Sequence, residues 1–267
     1  MSRGGTILLG LILLFVLFIF LGNWLIPYDP YTLDKHAILL PPSLEHPFGT
    51  DRLGRDVLAR VVEGGKISLA IGVGSALIGT FIGLMVGVSA GYFQGKVDKG
   101  IVIAIDLFLT FPTFFLLLAM VSYVDASAFV LIVVISITGW MGTARMIRSE
   151  SFGIGTKPFI KVLKLARVST LKILLKYYAP IIAPIFLISF TFGVSGAILS
   201  ESGLSFLGLG VMPPQMSWGS ILSEGKAVMD IAWWVSFFPG FFIFLISFLL
   251  IQLSDMLQQL FNRKEAV

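Results

Sequence analysis

No cysteine occurs among the 267 residues, and there are only two histidines, His36 and His46. The first absence excludes disulfides, thiol catalysis and cysteine-ligated metals. The second, with both histidines in one loop, argues against a histidine-rich metal site, and no cofactor is expected. Charge is scarce as well: Asp, Glu, Lys and Arg make up 13% of the chain, against about 25% in a soluble domain. The Gly-x-x-x-x-Gly-Lys-Ser/Thr string that cradles nucleotide phosphates is also missing. What is there is apolar: 57% of the residues are hydrophobic and the mean hydropathy is +0.96. Lipid is therefore the expected solvent for most of the chain, and the expected class is an all-α membrane protein. The net charge is +4. The basic residues collect at the flanks of apolar runs, so membrane topology accounts for them and nucleic acid does not.

The apolar runs divide the chain. Residues 4–28 carry no charge, and about 20 apolar residues suffice to cross the hydrocarbon layer. A signal peptide is the competing reading. However, no small-residue cleavage site follows, and Trp24 and Tyr28 suit an interfacial belt, so residues 1–28 are read as a retained first span. Residues 29–66 form a polar segment whose prolines keep its first half extended. Thr50-Asp51 offers an N-cap for an interfacial helix over 52–63, which Gly64-Gly65 would stop. There Asp56 and Arg60 form an i,i+4 pair of the kind common on solvated faces. A five-span core is expected over 67–258. Its second span, 67–95, has a glycine stripe suited to close helix packing. The third runs to about residue 123 and contains Asp106 and Pro112. Asp106 is a candidate for a translocation path, since acids at membrane depth are functional by default; the plainer reading puts it near one membrane face, within reach of water or Lys99. The fourth span covers 126–144. The fifth, 177–200, begins with Pro180 and Pro184, which predict a kink, and ends at Glu201. Residues 202–232 are broken by glycine and proline and read as a shallow surface excursion. Residues 231–254 form the sixth span, and 259–267 a tail.

Between the fourth and fifth spans lies the densest charge. Residues 145–176 hold eight basic residues against one acid, Glu150. At about 100° per residue, Phe159, Val162, Leu163 and Ala166 share one side of a short helix, and Lys157, Lys161, Lys164 and Arg167 the other. Such a helix either rests on anionic lipid headgroups or transmits force from a soluble partner, and the pattern alone leaves both open. Placing this loop inside puts both termini inside and thirteen of the nineteen Lys and Arg residues in the cytoplasm, as the positive-inside rule requires.

Several separate motifs then bear a resemblance. His46-Pro47-Phe48-Gly49-Thr50-Asp51-Arg52-Leu53-Gly54-Arg55-Asp56-Val57 follows the first span. Gly91-Tyr92-Phe93-Gln94-Gly95-Lys96-Val97-Asp98, Asp106 with Phe111-Pro112, and Gly139-Trp140 with Ala144-Arg145 come next. Glu201 precedes Ser205-Phe206-Leu207-Gly208-Leu209-Gly210, Pro213-Pro214 and Ser217-Trp218-Gly219. Over nearly its whole length the chain resembles the inner-membrane permease subunits of ABC importers for dipeptides, oligopeptides and nickel, of the shorter C-type kind. The resemblance implies the type I importer permease fold and a multi-pass protein of the bacterial inner membrane. It also implies a non-catalytic subunit whose partners are a second permease subunit, two ABC ATPase subunits and an extracytoplasmic solute-binding protein. In that family the basic loop is the coupling region that docks on an ATPase. By this resemblance Phe159, Lys161, Val162, Leu163, Lys164, Ala166 and Arg167 form the docking helix, and Glu201, like Asp106, is a candidate for the path. The family's Glu-Ala-Ala, three residues, Gly reads here as Lys161, Val162, Leu163 and Arg167. Arginine takes a left-handed turn less cheaply than glycine, so the helix is expected to continue past it. Peptides are the expected solute and a nickel or metal chelate the alternative. A non-transporting scaffold is the rival from another class, supported by the altered coupling motif. An autonomous carrier is disfavoured by the few buried ionisable residues.

Overall fold

The computed structural model describes residues 3–265, with side chains for residues 4–261. The side chains of Arg3, Arg263 and Lys264, which enter the topology count, lie outside the described set. Among the described residues the fold is helical, with no strand and a single isolated bridge between Thr50 and Asp56. Helix α1 (Arg3–Leu21) ends in a 3-10 turn, Gly22–Trp24. Five helical rods are long and apolar enough to cross a membrane, and a bent pair makes a sixth.

The expected interfacial helix and second span are one helix, α2 (Val57–Phe93), of 37 residues. At 1.5 Å per residue it is about 55 Å long, well beyond the hydrocarbon thickness. Its N-cap is Asp56, whose carboxylate accepts the Ala59 N–H at 2.7 Å; neither Thr50 nor Asp51 caps it. The Asp51 carboxylate instead accepts the N–H groups of Leu53 and Arg55 and closes the preceding turn. Gly64-Gly65 does not stop the helix, because tertiary packing uses both glycines. A Cβ added to Gly65 would lie 2.7 Å from Cζ2 of Trp218, and one on Gly64 3.0 Å from Cδ1 of Ile221. Close packing there offsets the roughly 1 kcal/mol that each glycine costs a helix. Farther along, the glycine stripe packs on α5 (Ala128–Thr156) as expected. A Cβ on Gly87 would sit 2.7 Å from the Ala144 carbonyl oxygen, and this is the most extensive helix pair in the fold.

The third span is broken. Helices α3 (Gly95–Thr110) and α4 (Thr113–Val121) meet at 78°. Proline disfavours a helical residue before it, and Phe111 is extended, with φ −89° and ψ 134°. After α5 comes the short α6 (Pro158–Leu165). The fifth span is a rod over Thr170–Phe206: α7 (Thr170–Ile173), a π turn (Leu174–Tyr178) and α8 (Ala179–Phe206). The irregularity expected from Pro180 and Pro184 thus takes the form of a widened turn just before Pro180, where the ring would crowd the carbonyl four residues back.

Helix α8 continues five residues past Glu201, whose carboxylate is satisfied by hydroxyls and does not need water. It ends in a Schellman turn: Gly208 has φ +84°, Leu209 N–H bonds to Leu204 O and Gly208 N–H to Ser205 O. The excursion that follows contains α9 (Trp218–Lys226), started by a Ser217–Ser220 capping box. The last helix, α10 (Trp234–Glu265), is longer than the expected sixth span. One core cluster joins α1, α2, α8, α9 and α10 around the fully buried Trp218. A second sits where α2, α5, α6 and α8 meet, around Tyr92, Ile160 and Tyr178.

Candidate functional site

The basic end of the bundle is an elbow. Helix α6 lies across the second cluster, with Ile160 fully buried beneath it and Leu163 packed on the same side. Phe159, Val162, Leu165 and Ala166 are exposed. The expected apolar face is therefore split: Leu163 belongs to its own chain, Ile160 was missed as the inward anchor, and Leu165 was missed on the outward side. The sequence pattern is ambiguous here because apolar residues cover most of the circumference of this eight-residue helix. The basic face divides too. Lys164 turns back on the bundle: its Nζ lies 4.2 Å over the Tyr92 ring and donates to the Tyr92 carbonyl at 3.3 Å. Tyr92 in turn donates its hydroxyl to Thr170 at 3.3 Å and packs edge-on against Tyr178. Lys157, Lys161 and Arg167 remain exposed.

Helix α6 does not run on through Arg167. Arg167 adopts φ +56°, with its N–H bonded to Lys164 O and the Val168 N–H to Leu163 O. That is the Schellman geometry of Gly208, built here on an arginine, and it carries the steric cost of a left-handed L-residue, about 1–2 kcal/mol. Packing of Leu163 and Val168 against the second cluster holds it.

The first two basic residues of the loop belong to α5. Arg148 donates to both carboxylate oxygens of Asp98, one of them at 2.7 Å. Arg145 pairs with Asp106 at 2.6 Å, with both side chains more than half exposed. Asp106 is thus near water, and its cation is Arg145 rather than Lys99.

At the opposite end, charge is buried. Arg60 is 1% exposed, and its guanidinium meets Asp51 at 2.5 Å and Glu224 at 2.8 Å. Arg55 contacts the same two acids. Asp56, 3% exposed, bonds His46 Nδ1 at 2.9 Å. Asp56 and Arg60 are therefore no solvated helix pair, because Glu224 comes from a helix that local spacing could not have supplied. Trp234 Nε1 donates to Thr50 O at 3.0 Å, and Phe48 stacks on Phe238, fastening the loop to α10. Glu201 is fully enclosed. Its Oε1 accepts from the Ser205 and Ser217 hydroxyls, each at 2.6 Å, and Oε2 accepts from Ser68 at 3.4 Å. One carboxylate thereby joins α2, α8 and α9.

Between these ends α2, α4, α5 and α8 form a groove of about 240 Å³, lined by small and hydroxyl side chains that include Ser75, Thr80, Thr138, Thr143, Ser189 and Ser200. The Ser189 hydroxyl is buried without a partner among the described residues. Neither Glu201 nor Asp106 lines this groove.

A bundle of five apolar rods and one broken span, with a basic elbow at one end and a groove carrying hydroxyl side chains between its helices, belongs to the class of multi-pass membrane transport subunits. The family model for the "Binding-protein-dependent transport system inner membrane component" matches residues 79–267, and the chain belongs to that family, a multi-pass protein of the bacterial inner membrane. It is 33% identical to the oligopeptide transport system permease protein OppC of Haemophilus influenzae, over 94% of this chain and 81% of that one. It is 31% identical to the nickel transport system permease protein NikC of Escherichia coli K12, over 88% of this chain and 85% of that one. The fold is similar to that in inward-facing crystal structures of the MetNI methionine ABC transporter, with TM-score 0.59 and 18% identity over 74% of this chain and 95% of that one.

Proposed function

We propose that this chain is the permease half-channel of an ATP-driven importer that takes solute from an extracytoplasmic binding protein and moves it inward by alternating access. The observation that carries the reading is the elbow. An exposed ridge of Phe159, Val162 and Leu165 is flanked by cations, seated on a buried cluster and joined rigidly to two long spans. Force applied to it from outside the membrane reaches α2 through Lys164 and Tyr92, and α8 through Thr170 and Tyr178. Both termini and the elbow are then cytoplasmic. The partners are a second permease subunit, two ATPase subunits and the binding protein. Glu201 and Asp106 take part in this reading as fasteners of the helices around the groove and not as its lining.

Solute would cross along the hydroxyl-lined groove, completed by the second permease subunit. Serine and threonine side chains suit the amides of a di- or oligopeptide, and of these two relatives the oligopeptide permease is matched over the larger share of this chain. A nickel complex is the second reading, favoured by the nickel permease relative. The scaffold rival rested on the altered coupling motif; the left-handed turn at Arg167 forms without its glycine, which supports transport over the scaffold, while the lysine at position 161 is left to the assay below.

The test is ATP hydrolysis by the purified importer in proteoliposomes. Peptide-loaded binding protein is expected to stimulate it several-fold and to drive peptide uptake. No stimulation by any loaded binding protein, with all subunits present, contradicts transport. Gly196→Trp probes the path: Gly196 lines the groove and has open space where a Cβ would go. Uptake is expected to fall at least tenfold with assembly intact, and unchanged uptake would place the path elsewhere.

A further inference from the structure

Resting on that reading, we propose that the ATPase surface gripping this elbow is acidic, and that Arg167 and Lys161 set which ATPase is accepted. Lys157, Lys161, Arg167 and Lys172 are exposed and make no ion pair or ring contact among the described residues. Their neighbours are all engaged: Lys164 by Tyr92, Arg145 by Asp106 and Arg148 by Asp98. Glu150, the one acid of this stretch, neutralises none of the four. A protein surface that meets this ridge therefore buries several uncompensated positive charges unless it brings carboxylates.

The second observation is the backbone at Arg167. A left-handed residue that is not glycine persists where surrounding structure forces it, and such positions cluster at functional sites. Here the turn needs only glycine, yet a long cation stands in it, its side chain exposed and making no bond among the described residues. The Schellman turn leaves that side chain exposed at the C-terminal end of the helix that carries Lys161, Val162 and Leu165. An apolar ridge bordered by cations fits a groove with an apolar floor and an acidic rim. A lipid surface fits less well: lipid needs no fixed geometry and gives no reason for a strained turn.

The experiment is photo-cross-linking in the intact importer, purified through a tag on this chain, with p-benzoylphenylalanine at the exposed position 162 or 165, which leaves the cations in place. The adduct is expected on a subunit that contains the Gly-x-x-x-x-Gly-Lys-Ser/Thr loop, in a peptide carrying Asp or Glu. ATPase retention is expected to fall at least tenfold between 0.1 and 0.5 M NaCl. Lys161→Glu with Arg167→Glu should lower it by a similar factor, and lysine in place of an acid in the cross-linked peptide should restore it. Arg167→Gly, which keeps the turn, controls for folding. Adducts to lipid alone overturn the inference in favour of a headgroup anchor. ATPase retained regardless of salt and charge reversal overturns it while leaving the permease reading intact. An importer that never contains an ATPase overturns both.

Discussion

The two ends of this bundle treat charge in opposite ways. At one end Asp51, Arg55, Arg60 and Glu224 close a network around a guanidinium that is 1% exposed, and Glu201 is enclosed by three serine hydroxyls. At the other, four cations stand exposed with no partner among the described residues, one of them on a left-handed residue. The same contrast shows in two helix ends with the same hydrogen-bond pattern: α8 turns off on Gly208, and α6 on Arg167. Buried, paired charge ties the chain to itself. Exposed, unpaired charge placed at a conformational cost is, under the docking proposal, there for a partner outside the chain.

The largest effect should come from Arg60→Ala, which removes the buried guanidinium between Asp51 and Glu224 and leaves Arg55 alone to hold both acids. A loss of about 3–5 kcal/mol is expected, read as a lowered unfolding midpoint in detergent. If the loss is under about 1 kcal/mol, the buried end is held by packing alone and the contrast fails. Glu201→Ala removes the acceptor for Ser205, Ser217 and Ser68, and about 2 kcal/mol should be lost. Glu201→Gln, which keeps a carbonyl acceptor, should lose less. Hydrogen exchange localises the effect: α9 should open first in the alanine variant, because Ser217 is both its N-cap and a donor to Glu201. The smallest effect has the opposite sign. Arg167→Gly should raise stability by up to about 1 kcal/mol while loosening ATPase retention. An equal loss of both would make Arg167 a structural residue like Arg60.

The membrane class, the apolar rods and the glycine stripe were legible from composition and spacing, since lipid demands long uncharged helices. Helix ends were much less so. Asp51 and Asp56 both look like caps, and only the ladder of the preceding loop decides between them. Gly64-Gly65 reads as a stop until Trp218, more than 150 residues away, is seen to need the space. Pro112 was visible, but its 78° consequence was not. At the elbow the amphipathic helix was legible, whereas its rotation about its own axis was not, because Ile160 and Leu163 are chosen as the inward pair by a cluster drawn from four helices. Glu201 could be recognised as unusual; Ser205 lies one turn along its own helix, but only the fold brings Ser68 and Ser217 to it.

The absence of cysteine provides the most direct test of the central claim, that a soluble engine inside the cell grips this elbow. Val162→Cys places one thiol on the exposed ridge of an otherwise cysteine-free chain. A membrane-impermeant maleimide should label it in inside-out vesicles stripped of ATPase, fail to label it in right-side-out vesicles, and be blocked when the ATPase subunits are restored. Labelling from the outer face, or labelling at full rate with the ATPase in place, would contradict it.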